Sequence, residues 1–201
     1  MLSLLTGVAR TAIGLIYFCG LRPGEARGAR WRDYNAEKRR LDVKVSVWEK
    51  HEGTLKTAES SKPIPVGPAL AQILSEADRS SEFILAAPGG KPINLHNLAA
   101  RGVRPMLKRC AQCHEMEHPD TDHPFELDTS LPVWKGWYAL RRGLGTIAAK
   151  EESILAAKGL LRHKNIATTM THYIKDIPSE AVRAADKISA LFPEITSARP
   201  N

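Results

Sequence analysis

A mainly α-helical domain with a small antiparallel β-sheet, an α+β fold, is the class this sequence predicts, on three observations. Apolar residues recur at three- and four-residue spacing through most segments, and Leu4, Leu5, Val8, Ala12, Leu15, Ile16 and Cys19 form the first such stripe. Strict alternation, the mark of a half-buried strand, is confined to a short stretch in which Leu41, Val43, Val45 and Val47 interleave with Asp42, Lys44 and Ser46. Finally, 201 residues at 43% hydrophobic and 25% charged fit one self-supporting globular unit rather than a disordered chain.

The elements follow in order. The first helix stops at Gly20, a residue suited to a left-handed C-terminal turn. Pro23 opens a short second helix, at a position where its missing N–H costs nothing. The alternation predicts a strand over 40–48, a turn at Lys50-His51-Glu52-Gly53, and further strands over 54–57 and 63–66. Pro68 begins a helix carrying Leu70, Ile73 and Leu74, and 83–85 reads as a brief strand. A helix over 94–109 is basic at Arg101, Arg104, Lys108 and Arg109, and an irregular stretch rich in Cys, His, Asp and Pro fills 110–132. Helical periodicity returns over 136–150, 152–161, 167–174 and 179–191, before a loose tail at 193–201. One domain over 1–192 is the simplest division.

Charge and cysteine content narrow the function classes. A formal charge of +7 and a pI near 9.5 point to a polyanionic partner, nucleic acid ahead of anionic lipid, since no basic amphipathic membrane helix is visible. No apolar run approaches the ~20 residues that span a bilayer. The apolar start lacks a basic leader and is interrupted by Arg10, so it reads as a core helix rather than a signal segment. Three cysteines, two of them three positions apart, fit a reducing cytoplasm better than a secreted disulfide scaffold.

Several segments carry chemistry. Gly20-Leu21-Arg22-Pro23-Gly24-Glu25 sets an arginine at a helix N-terminus, where backbone N–H groups and the dipole favour an anion. Taken alone it is equally a capped turn with a surface arginine. Lys56, beside Thr57 at a hairpin rim, can donate to a phosphate or a leaving oxygen, or can simply protect a strand edge. Tyr138 and Arg141 are three apart on one helix, with Arg142 next to them. Leu160-Leu161-Arg162-His163 ends the following helix, and Tyr173 stands ten residues beyond the histidine.

In this order the segments resemble the catalytic domain of the tyrosine recombinases, the phage-integrase family. The family signs are an Arg in a Gly-Leu-Arg-x-x-Glu turn, a hairpin Lys, a His-x-x-Arg helix, a Leu-x-x-His turn, and a Tyr nucleophile nine or ten residues on. Arg22 with Glu25, Lys56, Arg141, His163 and Tyr173 supply them here. The resemblance implies the recombinase catalytic fold and a DNA integration or recombination enzyme, of a kind found in mobile elements. Tyr173 would attack the scissile phosphate to give a 3′-phosphotyrosyl link, Arg22 and Arg141 would hold the non-bridging oxygens, Lys56 would protonate the leaving 5′-oxygen, and His163 would hydrogen-bond the phosphate. Neither metal nor ATP is required for that chemistry.

The partners it implies are double-stranded DNA, contacted by Arg101, Arg104, Lys108, Arg109, Arg142 and Arg162, and further copies of the chain in a synaptic tetramer. A terminal helix over 178–192 would dock on a neighbouring protomer, or pack on its own domain. A cytoplasmic, nucleoid-associated location follows.

The pattern departs from the family in three places. Tyr138 stands where a histidine is usual, and a phenol is a poor base at neutral pH. Arg162 stands where a glycine commonly precedes the histidine. The family's N-terminal DNA-clamping domain is not seen: either it lies on another polypeptide, or this chain is a fragment or a relic. A catalytically silent DNA-binding regulator with the same fold is therefore the second reading. A type IB topoisomerase is a third, disfavoured by the integrase form of the Arg22 turn.

Within 110–132, Cys110-x2-Cys113-x4-His118-x4-His123 has the ligand spacing of a zinc knuckle, with His114 a rival ligand. A structural zinc and a solvated His-rich insertion with two free thiols both fit this spacing.

Overall fold

The first apolar stripe winds into α1 (Gly7–Cys19), with Ala12, Ile13, Leu15, Ile16 and Cys19 buried. The computed structural model describes residues 1–55, 57–116 and 122–165, together with Ala167, Arg183 and Lys187. Gly20 ends α1 in the left-handed conformation at φ +59°, and a Cβ there would come within 3.0 Å of the Leu144 side chain. That position is restricted to glycine both by backbone angle and by space.

Pro23 opens α2 (Pro23–Gly28), as its fixed φ allows. Beyond a short 3-10 turn come β1 (Tyr34–Asn35) and β2 (Arg40–Leu41), then β3 (Val45–Trp48), β4 (His51–Thr54) and β5 (Ile64–Pro65). The single strand expected over 40–48 is two strands in two sheets. β2 lies at the centre of an antiparallel β1-β2-β5 sheet, with Tyr34 opposite Leu41 and Arg40 opposite Pro65. β3 and β4 form a separate antiparallel ribbon. Past β2, Asp42 N–H donates to Asp33 O at 3.0 Å, a last bond to the first sheet, and Lys44 pairs with the Asp33 carboxylate. The alternating pattern runs through this break unchanged, so periodicity alone could not reveal it. The hairpin turn is also earlier than expected: Trp48 pairs with His51 across Glu49-Lys50, and Glu49 takes φ +51°.

Pro68 starts α3 (Pro68–Ser75), whose Leu70 and Leu74 are fully buried. Residues 83–85 make an isolated bridge and loop hydrogen bonds rather than a strand: Arg30 pairs with Phe83, and Ile84 N–H donates to Ala29 O. The expected helix over 94–109 is broken as well. α4 (Leu95–Leu98), capped by the Asn94 side chain, passes into a π turn at Ala99–Val103 and a 3-10 turn at Pro105–Leu107. Pro105 has no N–H to continue an α-helical ladder, and Arg104 N–H reaches five residues back to Ala99 O. The connection over 110–132 leads to α5 (Trp137–Glu151) and α6 (Ile154–Leu161). The helices expected over 167–174 and 179–191 fall outside the described residues, apart from Ala167, Arg183 and Lys187.

One core joins these parts. α1 packs between α3 and α5, in one core with Leu41 and Ile64 of the sheet and the adjoining Val43 and Val66. α2 lies on the β3–β4 ribbon, where Arg27 donates to Val47 O at 3.1 Å and Glu49 O at 2.6 Å, and also to Ile93 O at 2.8 Å. Gly28 makes that approach feasible, since a Cβ there would sit 2.5 Å from Val45 O. Among the described residues, no helix is long and apolar enough to cross a membrane.

Gly28→Ala should therefore force α2 away from β3 and destabilise the domain by about 1–3 kcal/mol. Gly24→Ala should cost less, because its first obstacle is the Ser46 hydroxyl, which can rotate away. Urea unfolding of the two variants side by side measures the difference.

Candidate active site

Glu25 is the third residue of α2, and from there its carboxylate turns back to the helix start. Oε2 accepts from Arg22 N–H at 3.0 Å, satisfying one of the donors a helix N-terminus leaves open. Oε1 accepts from Arg22 Nη1 at 2.6 Å, and the same Nη1 donates to Ser60 Oγ at 2.9 Å. Glu25 is nevertheless buried, and a buried carboxylate needs more than one partner. The second cation is Arg162, whose Nη2 donates to Glu25 Oε2 at 2.6 Å while Nη1 donates to Ser60 O. Burial pushes the Glu25 carboxyl upward. The charges of Arg162 and Arg22, with the Arg22 N–H, more than reverse this and hold it below its ordinary value.

Arg162 reaches Glu25 from the C-terminal cap of α6, at φ +51° and ψ +47°. Glycine favours that left-handed cap, and a side-chain-bearing residue there costs about 1–2 kcal/mol. Here the strain is offset by a guanidinium only 4% exposed in an ion pair across the core.

Arg141, on α5, ties the remaining segments together. Its Nη1 donates to Gly20 O and its Nη2 to Leu161 O, and the residue is 5% exposed. Gly20 is two residues before Arg22, and Leu161 two before His163. One side chain thus joins the turn carrying the first arginine to the turn carrying the histidine. His163 is half-buried, and its N–H donates to Lys158 O at 3.1 Å. The hairpin arm joins through Thr57, which caps a 3-10 turn by accepting from Ser60 N–H and lies 3.0 Å from the Ser60 hydroxyl. Lys56, next to Thr57 in the chain, lies outside the described residues, as do Tyr173 and His118.

The other expected residues divide into exposed and engaged. Tyr138 is 56% exposed, one turn before Arg141. Arg101, Arg104, Lys108 and Arg142 are exposed. Arg109, expected on the DNA face, is half-buried, and its Nε pairs with Asp128 at 3.1 Å. Arg162, expected there too, lies inside the domain with Glu25. Sequence reading missed Ser60, whose only signal is its place four residues after Lys56 in a Ser-rich turn. It also missed the Arg162 partner, although an arginine at a helix stop that calls for glycine was itself a sign of a specific contact.

Away from this network, Cys110, Cys113 and His123 form a group whose ligand atoms all lie within 4.8 Å of one another, an arrangement that could hold a metal ion. Burial raises the Cys110 thiol, but backbone N–H groups of Cys113, Glu126 and Gln112 and the His123 ring outweigh it and bring the thiol down to about 5. Burial pushes Cys19, in the main core, up to about 12.

Set beside solved structures, the architecture is that of the tyrosine recombinase catalytic domains. The Tn1549 transposon integrase in complex with circular intermediate DNA superposes with a TM-score of 0.65 at 18% identity, over 89% of this chain and 58% of that one. XerA recombinase matches with a TM-score of 0.53 at 10% identity, over 96% of this chain and 57% of that one. XerH site-specific recombinase bound to its difH substrate, in a pre-cleavage complex, also gives 0.53, at 14% identity, over 90% and 46%. At these identities the likeness is one of fold, and this chain spans a little over half the length of the first of them. No protein-family model matches the sequence, and no curated protein matches it.

Two outcomes follow from the buried network. Glu25→Gln removes the one anion between two guanidinium groups and should destabilise the domain by about 3–5 kcal/mol. In the parent chain the folded carboxyl titrates below its unfolded value. Its contribution is thus complete above about pH 4.3 and is lost as pH falls through the lowered folded value. Urea midpoints between pH 7 and 3 should fall less steeply at the acid end in Glu25→Gln. At the α6 cap, Arg162→Gly and Arg162→Ala both lose the ion pair, but only the alanine keeps the left-handed strain. Arg162→Gly should be the more stable of the two by about 1 kcal/mol in thermal unfolding.

Proposed function

We propose that this chain is the catalytic domain of a site-specific DNA recombinase that cleaves and rejoins strands through a tyrosine ester. The observation that carries the reading is the joining of the Arg22 turn, Arg141 and the His163 turn into one network, which brings the first to two segments more than a hundred residues away in sequence.

In this reading Arg22 and Arg141 hold the non-bridging oxygens of the scissile phosphate, where negative charge grows in the pentacovalent transition state. Arg22 is pre-aimed by Glu25 and Ser60. Arg141 has five N–H donors and uses some of them on the Gly20 and Leu161 carbonyls. Tyr173 Oη attacks phosphorus as the bond from phosphorus to O5′ breaks, and Lys56 delivers a proton to O5′. His163 hydrogen-bonds the phosphate, and rejoining by a 5′-hydroxyl reverses the step. The chemistry takes no cofactor. Arg101, Arg104, Lys108 and Arg142, all exposed, supply salt-dependent contacts to the DNA backbone. A DNA-clamping domain, whether on this polypeptide or another, and further protomers complete the synapse.

A silent DNA-binding protein with this fold is the second reading, and one observation favours it. Tyr138 takes the place where the resemblance leads one to expect histidine, and it stands exposed to solvent one turn before Arg141.

Suicide-substrate trapping separates the two. Nicked duplexes carrying candidate attachment sequences, incubated with the chain, should yield a covalent protein–DNA band on a denaturing gel. Tyr173→Phe should abolish the band while leaving the mobility shift intact. A shift without any band in the parent chain, persisting when a clamp domain is fused to it, selects the silent binder.

A further inference from the structure

The connection from the π turn to α5 is built unlike the rest of the domain. Within 110–132, Met116, Phe125 and Leu127 lie exposed, so burial of these side chains contributes little to folding that stretch. Both ends of the loop are nevertheless closed. Cys110 bridges Leu127 in antiparallel fashion, Ala111 N–H donates to Glu126 O at 2.7 Å, and Asp128 N–H donates to Arg109 O at 3.0 Å. Inside that closure the chain folds back at once. His114 N–H donates to Cys110 O at 3.1 Å, Cys110 N–H to Glu115 O at 2.9 Å, and His114 adopts φ +63°.

This turn wraps backbone N–H groups of Gln112 and Cys113 around Cys110 Sγ. Consecutive amides converging on one buried sulfur suit an anionic ligand atom. His123 Nε2 lies 3.4 Å from Cys110 Sγ, and Cys113 Sγ completes a triangle with no separation above 4.8 Å. Tetrahedral zinc with sulfur at ≈ 2.3 Å and nitrogen at ≈ 2.0 Å sets its ligand atoms about 3.5–3.8 Å apart. The triangle therefore needs only a small adjustment to close on such an ion.

We propose that Cys110, Cys113 and His123 bind a structural Zn²⁺ that folds the connection leading to α5. Two thiolates and an imidazole select a borderline-soft ion and disfavour Mg²⁺ and Ca²⁺, which take oxygen ligands. The sulfurs bind as thiolates and the imidazole as its neutral form, so acid opposes binding. His114, the rival ligand on sequence grounds, is not a member of the group; its part is the left-handed turn behind Cys113. The spacing offers His118 for the fourth corner, but the proposal stands on the three side chains that meet. It is independent of the recombinase reading, because a silent binder would need the same fold-stabilising ion.

The test uses the full chain, purified under reducing conditions without chelator and analysed by elemental mass spectrometry. About one zinc per chain is expected. Replacement by Co²⁺ should give intense tetrahedral bands with a thiolate charge-transfer band in the near ultraviolet, and Cys113→Ser should weaken the charge-transfer band and reduce affinity at least about tenfold. Cys19→Ser, in the main core, should keep the metal. Because a ligand variant can fail to fold, the parent chain is also treated with EDTA. Its Cys110 and Cys113 thiols should then alkylate faster and its melting temperature fall, with both effects reversed by added Zn²⁺. A chain without stoichiometric zinc that takes up no Co²⁺ with a thiolate band overturns the proposal. So does a Cys110–Cys113 disulfide persisting in reducing buffer, or alkylation rates indifferent to EDTA and Zn²⁺.

Discussion

The burial of one carboxylate, Glu25, constrains the centre of this domain more than any apolar contact does. Without cations around it, an ionised carboxyl in that position would be untenable, and the sequence supplies two from different places. Arg22 is its neighbour on α2, and Arg162 comes from the far end of α6. Satisfying Glu25 therefore requires α6 to dock against the start of α2, and Ser60 to sit between the two guanidinium groups. Arg141 strengthens the same arrangement from α5 by holding carbonyls on both sides. A polar network of this kind specifies one geometry, where an apolar core of equal volume would tolerate several.

The rest of the fold serves to bring that centre together. α1 and the β1-β2-β5 sheet form a conventional apolar core, and α2 crosses it at the point where Gly20 and Pro23 set the entry angle. The β3–β4 ribbon is held from below by Arg27, which places a rigid arm beside the helix that carries Arg22. Its outer strand is exposed throughout, so the ribbon presents backbone and polar side chains to solvent rather than to the core.

Much of this was legible in the sequence, and the exceptions have physical causes. The helices with a full apolar stripe, α1, α3, α5 and α6, were evident because a repeating face announces its own burial. The motif residues Arg22, Arg141 and His163 were recognisable as a set, and Arg141 bonds the Gly20 and Leu161 carbonyls, two residues before each of the others. The break between β2 and β3 was hidden because alternation has the same period in both sheets. Pro105 was visible in the stretch over 94–109, but the π turn before it depends on backbone bonding that residue types do not encode. Arg109 and Arg162 were read as DNA-facing because a charge in a sequence shows no partner. Asp128 is 19 residues from the first, and Glu25 is 137 from the second. Lone charges with distant partners are the least legible class of residue.

Those separations have a kinetic side. The Arg141 bond to Gly20 closes a span of 121 residues, so the loop entropy must be overcome before the bond can form. Local helices and the ribbon can form early, but the ionic centre belongs to the last, cooperative stage of folding. While the chain is still emerging from the ribosome, Glu25 lacks Arg162 and the Gly20 carbonyl lacks Arg141. No partly synthesised chain therefore carries the completed network, which exists only once the domain is whole.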